Sequence, residues 1–116
     1  AWVERLAWNA DGSVLATAAG KKVRLWDAAG TQLREYADHA GTVADLAWQP
    51  RANLLAAAAY GGVSVYDPAQ PAAVRRFAWK GAPLALAWSP DGKFLAHGNQ
   101  DATVHFWAVA SGVELQ

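Results

Sequence analysis

An all-β repeat architecture, three four-stranded units in series, is what this sequence predicts. Three observations carry the prediction. The tripeptide Leu-Ala-Trp occurs at Leu6-Ala7-Trp8, at Leu46-Ala47-Trp48 and at Leu86-Ala87-Trp88, 40 residues apart both times. A second mark follows each copy with the same period, at Leu15-Ala16, Leu55-Ala56 and Leu95-Ala96. A third is Val23-Arg24-Leu25-Trp26-Asp27, then Val63-Ser64-Val65-Tyr66-Asp67, then Val104-His105-Phe106-Trp107-Ala108. The last copy comes one residue late, because Asn99 to Thr103 holds one extra residue. A period in this range is the signature of a chain built from stacked supersecondary units.

Each unit reads as strands a to d. In unit 1, strand a covers Trp2 to Trp8 and ends at the turn Asn9-Ala10-Asp11-Gly12, where glycine supplies positive φ. Strand b covers Val14 to Ala18, and Gly20-Lys21-Lys22 makes a short hairpin connection. Strand c, Val23 to Asp27, alternates apolar and polar residues, and Gln32 to Tyr36 is strand d. Unit 2 repeats the order with Gly41 to Trp48, Leu54 to Ala59, Val63 to Asp67 and Ala73 to Phe77. Unit 3 follows with Pro83 to Trp88, Phe94 to Gly98, Thr103 to Trp107 and Gly112 to Gln116. The units therefore occupy residues 1–36, 37–77 and 78–116. Helix propensity favours a helix at the alanine run Leu55 to Ala59. Its counterparts contain Thr17, His97 and Gly98, so the repeat assigns it to a strand.

Strands b and c carry apolar residues on both faces, which requires a sheet covered on both sides. Four-stranded sheets stacked face to face around an axis meet that demand, and the predicted fold is a β-propeller. Three blades make an incomplete ring, since closure takes about 4–8. One face of blade 1 and one face of blade 3 are then left open, and self-association into a homo-oligomer is expected if the chain exists alone.

Composition narrows the function classes. Hydrophobic residues make up 53% of the 116, and ten basic residues balance ten acidic ones. Nucleic-acid binding and binding to anionic membranes rest on clustered Lys and Arg, and the only basic pairs are Lys21-Lys22 and Arg75-Arg76. Nucleic acid and membrane are therefore not expected partners. There is no cysteine, so disulfides and thiolate metal sites are excluded. No targeting signal is visible, and the cytoplasm is the expected location.

The residues themselves resemble a family. Val23-Arg24-Leu25-Trp26-Asp27, Leu86-Ala87-Trp88-Ser89-Pro90-Asp91-Gly92 and Asp101-Ala102-Thr103-Val104-His105-Phe106-Trp107 resemble the strand c, the a–b turn and the b–c turn of the WD-repeat β-propellers. The resemblance covers the whole chain and suggests a segment of a longer bacterial ring, commonly seven-bladed in that family. It also implies a buried network in each blade, joining a His before strand a, a Ser or Thr in strand b, an Asp in the b–c turn and the strand c Trp. No unit here is complete. Unit 1 offers Thr17 and Trp26. Unit 2 offers His39, with Ala57 in the Ser/Thr place and Tyr66 for Trp. Unit 3 offers Asp101 and Trp107, with His97 in the Ser/Thr place and Trp79 where His39 stands. Trp8, Trp48 and Trp88 repeat, and they are expected to pack between blades in equivalent buried positions.

Catalytic chemistry finds little support. His39, His97 and His105 fall at three different places in the repeat, and no third ligand stands at a spacing that suits a metal beside His97 and Asp101. The serines lack a neighbouring His, and no phosphate-binding motif is present. No metal, cofactor or catalytic residue is expected. The resemblance implies a non-catalytic scaffold binding a protein or peptide on the face that bears the d–a and b–c loops. Here that face holds Lys21, Lys22, Asp38, His39, Tyr60, Trp79, Lys80, Asn99 and Gln100. Its mixed charge suits a specific partner rather than a polyanion. The alternatives are an enzyme or small-ligand binder at the central channel, where Glu4, Arg5 and Asp45 stand near the start of strand a, or a fragment with no function of its own.

Overall fold

The computed structural model describes residues 3–37, 39, 41–110 and 113–115, and they form three four-stranded antiparallel sheets. The first contains β1 (Val3–Trp8), β2 (Val14–Ala19), β3 (Lys22–Asp27) and β4 (Gln32–Tyr36). The second contains β5 (Val43–Trp48), β6 (Leu55–Ala59), β7 (Gly62–Tyr66) and β8 (Arg75–Ala78). The third contains β9 (Pro83–Trp88), β10 (Phe94–Asn99), β11 (Val104–Ala108) and β12 (Val113–Leu115). Strands run in chain order across each sheet, as hairpin connections dictate. The described residues contain no helix, and the alanine run at β6 is a strand. Burial decides it: all five of its residues are buried, and its pairing with β5 and β7 satisfies the backbone. The fourth strand of the second sheet starts later than expected, at Arg75. The Val74 N–H donates to Val65 O at 2.8 Å, just before regular pairing begins at Arg75.

Pairing register assigns each side chain to a face. Trp8 stands opposite Leu15, and Leu15 opposite Trp26, so these three share what we term the front of blade 1. Ala16, Ala18, Val23 and Leu25 lie on the back. The same assignment puts Leu46, Trp48, Leu55 and Tyr66 on the front of blade 2, and Leu95, His97 and Trp107 on the front of blade 3.

Stacking is front to back. The back of blade 1 and the front of blade 2 share one buried cluster, which includes Ala16, Val23, Leu25, Leu46, Leu55 and Tyr66. The back of blade 2 and the front of blade 3 share a second, with Ala56, Val63, Val65, Phe77, Leu95 and Trp107. At each joint an aromatic ring of the fourth strand stacks on the third-strand aromatic of the next blade. Tyr36 lies 4.0 Å from Tyr66, and Phe77 lies 4.7 Å from Trp107, centroid to centroid. Packed strand pairs join blade 1 to blade 2 and blade 2 to blade 3, and the arrangement is open.

The repeated tryptophans divide accordingly. Trp48 and Trp88 are half-buried, and their indole N–H groups donate to Ala7 O and Ala47 O of the preceding blade, each at 2.8 Å. Trp8 departs from the expectation of equivalent burial. It is 54% exposed, because none of the described sheets lies against the front of blade 1.

Two substitutions test this packing. Leu55→Ala empties a fully buried site in the central blade and should cost about 2–5 kcal/mol in urea denaturation. Gly62 has φ 147°, and a Cβ there would stand 2.2 Å from Phe77 O. Gly62→Ala should therefore cost about 1–3 kcal/mol or more, despite adding one methyl group.

Candidate functional site

The antiparallel order places all d–a connections and b–c turns at one end of the sheets, with the a–b and c–d turns at the other. At the first end the connections are stitched to the turns beside them. Val43 N–H donates to Gly20 O at 2.8 Å, Gly61 N–H to Gly81 O and Trp79 N–H to Gly61 O at 2.9 Å each, and Gln100 N–H to Ala82 O at 3.1 Å. These bonds hold the loop-bearing end as a continuous rim.

The expected contact residues separate on this rim. Lys21, Lys22, Tyr60, Lys80 and Gln100 are exposed, and Tyr60 shows 65% of its surface. Trp79 and Asn99 are half-buried. Asp38 lies outside the described residues. His39 does not belong on the contact surface, since it is buried with 9% exposed. Its Nδ1–H donates to Lys21 O at 3.0 Å, and its Nε2 accepts the Tyr66 hydroxyl at 2.9 Å. A carbonyl can only accept, so the partners set this tautomer.

The third-strand aromatics are held by a different group in each blade. In blade 1 the Trp26 indole N–H donates to Thr17 Oγ1 at 3.0 Å. In blade 2 Tyr66 replaces Trp, and its hydroxyl reaches His39 instead of the Ala57 position below it. In blade 3 Trp107 Nε1–H donates to Nε2 of fully buried His97 at 2.8 Å. The Nδ1–H of His97 in turn donates to Asn99 Oδ1 at 2.7 Å. Asp101 does not enter this network, contrary to the role that its motif position implied. Its carboxylate accepts from the backbone N–H and the hydroxyl of Thr103, and it is exposed. This turn holds one residue more than its counterparts, and Ala102 in it takes φ 67°. Asn99, expected on the contact surface, takes the acceptor role instead; that i and i+2 share a face of a strand is the signal that could have found it. Trp79 packs over the same sheet, 3.8 Å from the His105 ring and 5.6 Å from His97.

Two of the polar residues expected near a central channel, Arg5 and Asp45, are engaged in joints between blades. Arg5 Nε–H donates to Ala44 O at 2.9 Å. Asp45 accepts from Leu46 N–H and, across the next joint, from Leu86 N–H, both at 2.9 Å. The Glu4 side chain lies outside what is described. Among the described residues no cluster of three or more metal-ligating side chains occurs, and no helix is long and apolar enough to cross a membrane.

Three exposed turn carboxylates, Asp11, Asp91 and Asp101, have pKa values lowered from 3.8. The main cause is the hydroxyl of Ser13, Ser89 and Thr103 respectively, followed by a backbone N–H. Their contribution to turn stability is present above pH 3.8 and is lost as pH falls through the lower folded value. Ser13→Ala, Ser89→Ala and Thr103→Val should each move the neighbouring carboxyl back toward 3.8, read by carbon-detected NMR titration. A second test addresses the buried network. Trp107→Phe removes the N–H that His97 accepts and should cost about 1–3 kcal/mol in denaturant melts. Trp26→Phe, at a half-buried site, should cost less.

The geometry agrees with the comparisons to known proteins. No curated protein matches the chain. A family model described as WD domain, G-beta repeat, matches residues 1–27, 30–67 and 74–108. Each matched segment ends at or just beyond the third-strand aromatic of one sheet, Trp26, Tyr66 or Trp107. With most of its length matched and one four-stranded sheet for each match, the chain belongs to the WD-repeat family of β-propeller proteins.

Proposed function

We propose that this chain is a non-catalytic scaffold that binds a protein or peptide on its loop-bearing rim. WD repeats generally mediate protein interactions as scaffolds and are typically not enzymes. The observation that carries the reading here is the division of labour on the rim. His39 and His97, which could do acid–base chemistry, are buried and hydrogen-bonded within the blades. Tyr60, Lys21, Lys22, Lys80 and Gln100 are exposed around them. Tyrosine offers a large amphipathic contact at low entropy cost, and aromatic anchors of this kind dominate binding energy at interfaces. Trp79 fits as a second, half-buried anchor whose other face packs on His105. With Asp101 also at this end of the sheets, the rim carries both signs of charge, which selects a complementary partner surface over a polyanion.

A peptide library displayed on phage and selected against the folded chain tests the reading. Selected peptides should bind Tyr60→Ala about tenfold more weakly, equivalent to about 1.4 kcal/mol. The melting temperature should stay in place, because Tyr60 packs little. Ser89→Ala, in a turn at the opposite end, should bind as the parent does. Peptides that bind Tyr60→Ala, Lys80→Ala and Lys21→Ala all at parental strength would overturn the assignment to this rim.

A further inference from the structure

Of the three groups that hold a third-strand aromatic, only the one in blade 3 can take up a proton and must give up its bond to do so. There the Trp107 indole N–H donates to Nε2 of His97 at 2.8 Å. An indole nitrogen only donates, so this Nε2 carries no hydrogen. The other ring nitrogen, Nδ1, donates to Asn99 Oδ1 at 2.7 Å. His97 is 0% exposed, and a proton on Nε2 would set N–H against N–H inside a buried site. The other two holders differ. Thr17, which accepts from Trp26 in blade 1, does not titrate. His39 in blade 2 meets a hydroxyl, and the Tyr66 oxygen can accept from a protonated Nε2 as well as donate to a neutral one.

The charged and titratable groups around His97 come from every element packed against it. His105 stands directly opposite on β11, half-buried, with its ring 5.8 Å away. It lies near enough to Asp101 for that carboxylate to feel it. A charge on His105 repels a second one on His97. Glu114 of β12 pairs with Trp107. Lys80 is exposed on the connection that carries Trp79. From the back of blade 2, Asp45 accepts from Leu86 N–H, and Arg75 donates to Ala110 O. The rest of that facing surface, Ala56, Ala58, Val63, Val65 and Phe77, is apolar.

We propose that His97 is an acid-sensitive latch: uptake of a proton by this ring parts it from Trp107 and opens the joint between blades 2 and 3 at the rim. Trp79, whose ring lies 5.6 Å from His97 and 3.8 Å from His105, is released with it. That release would loosen a bound partner, a consequence that rests on the rim as the binding surface; the opening itself does not. The sign follows from proton counting. A closed joint that holds the ring only when neutral binds fewer protons than the opened one, so the closed form gains as pH rises. The contribution is present above about pH 7. It is lost as pH falls through the ordinary histidine value of about 6.5, by up to about tenfold in the closed-to-open ratio per pH unit.

The test compares the full chain with His97→Gln, without any partner. The glutamine amide keeps one acceptor for Trp107 and one donor for Asn99 but does not titrate. Amide hydrogen exchange followed by NMR, corrected for its intrinsic pH dependence, reads each blade separately. Between about pH 7.5 and 5.5, protection of β10 and β11 should fall about tenfold more in the parent than in His97→Gln. Protection of β2 and β3, in the blade held by Thr17, should change equally in both. The ring nitrogen shifts of His97 should report the neutral Nδ1–H form wherever the Trp107 indole resonance keeps its folded position. If His97→Gln folds poorly, His97→Thr supplies a second holder that does not titrate, the pair that blade 1 uses, and the slopes with pH are compared in place of absolute protection. A charged His97 with the Trp107 resonance unmoved would overturn the proposal. So would equal slopes in parent and variants, or a loss in β2 and β3 as large as that in β10 and β11, which would assign the effect to the whole fold.

Discussion

Two-sided burial of each sheet is the constraint on which everything else here depends. Most antiparallel sheets in small proteins need cover on one face only, and their strands alternate apolar with polar residues. The central strands of this chain do not. In β6 all five residues are buried, and in β7 four of five. A sheet of that composition is stable only between two others. Front-to-back stacking supplies the cover, and it fixes where the turns collect, which end becomes the rim and why the terminal blades show exposed Val, Leu and Phe.

The polar groups follow the same constraint. Once an aromatic from the third strand is buried between sheets, its N–H or O–H must find an acceptor or lose the hydrogen bonds that water gave it. The three blades solve this with three different acceptors: a threonine from the neighbouring strand, a histidine from the connection before the blade, and a histidine from the neighbouring strand that is itself anchored by an asparagine. The need is common to all three, but the residue that meets it is not. That is how the repeat can diverge in identity while its geometry holds.

The fold was legible in the sequence because period and register are properties of pattern. Three marks at a spacing of 40 or 41 residues place the strands, and the turn residues place their ends to within a residue or two. The assignment of the Leu55 to Ala59 run to a strand came from its counterparts, where propensity alone points to a helix. The site was less legible. Asp101 occupies the motif position yet bonds Thr103 of its own turn, a local choice that strand pattern and period do not encode. His39 stands in a loop by sequence, but only its reach to Tyr66 reveals that it is core. The exposure of Trp8 depends on what lies beyond blade 1, which no local pattern encodes.

The indole bonds from Trp48 and Trp88 end on backbone carbonyls, Ala7 O and Ala47 O, rather than on side chains. Every amino acid presents that carbonyl, so the joint makes no demand on the sequence of the blade that accepts it. The tryptophan travels with its own unit, and the acceptor is present in any neighbour. A unit of this design can be copied, deleted or exchanged along a gene and still find its fastening, without a compensating substitution next door. Growth of such a chain by duplication is therefore limited by the geometry of ring closure and not by the chemistry of the links.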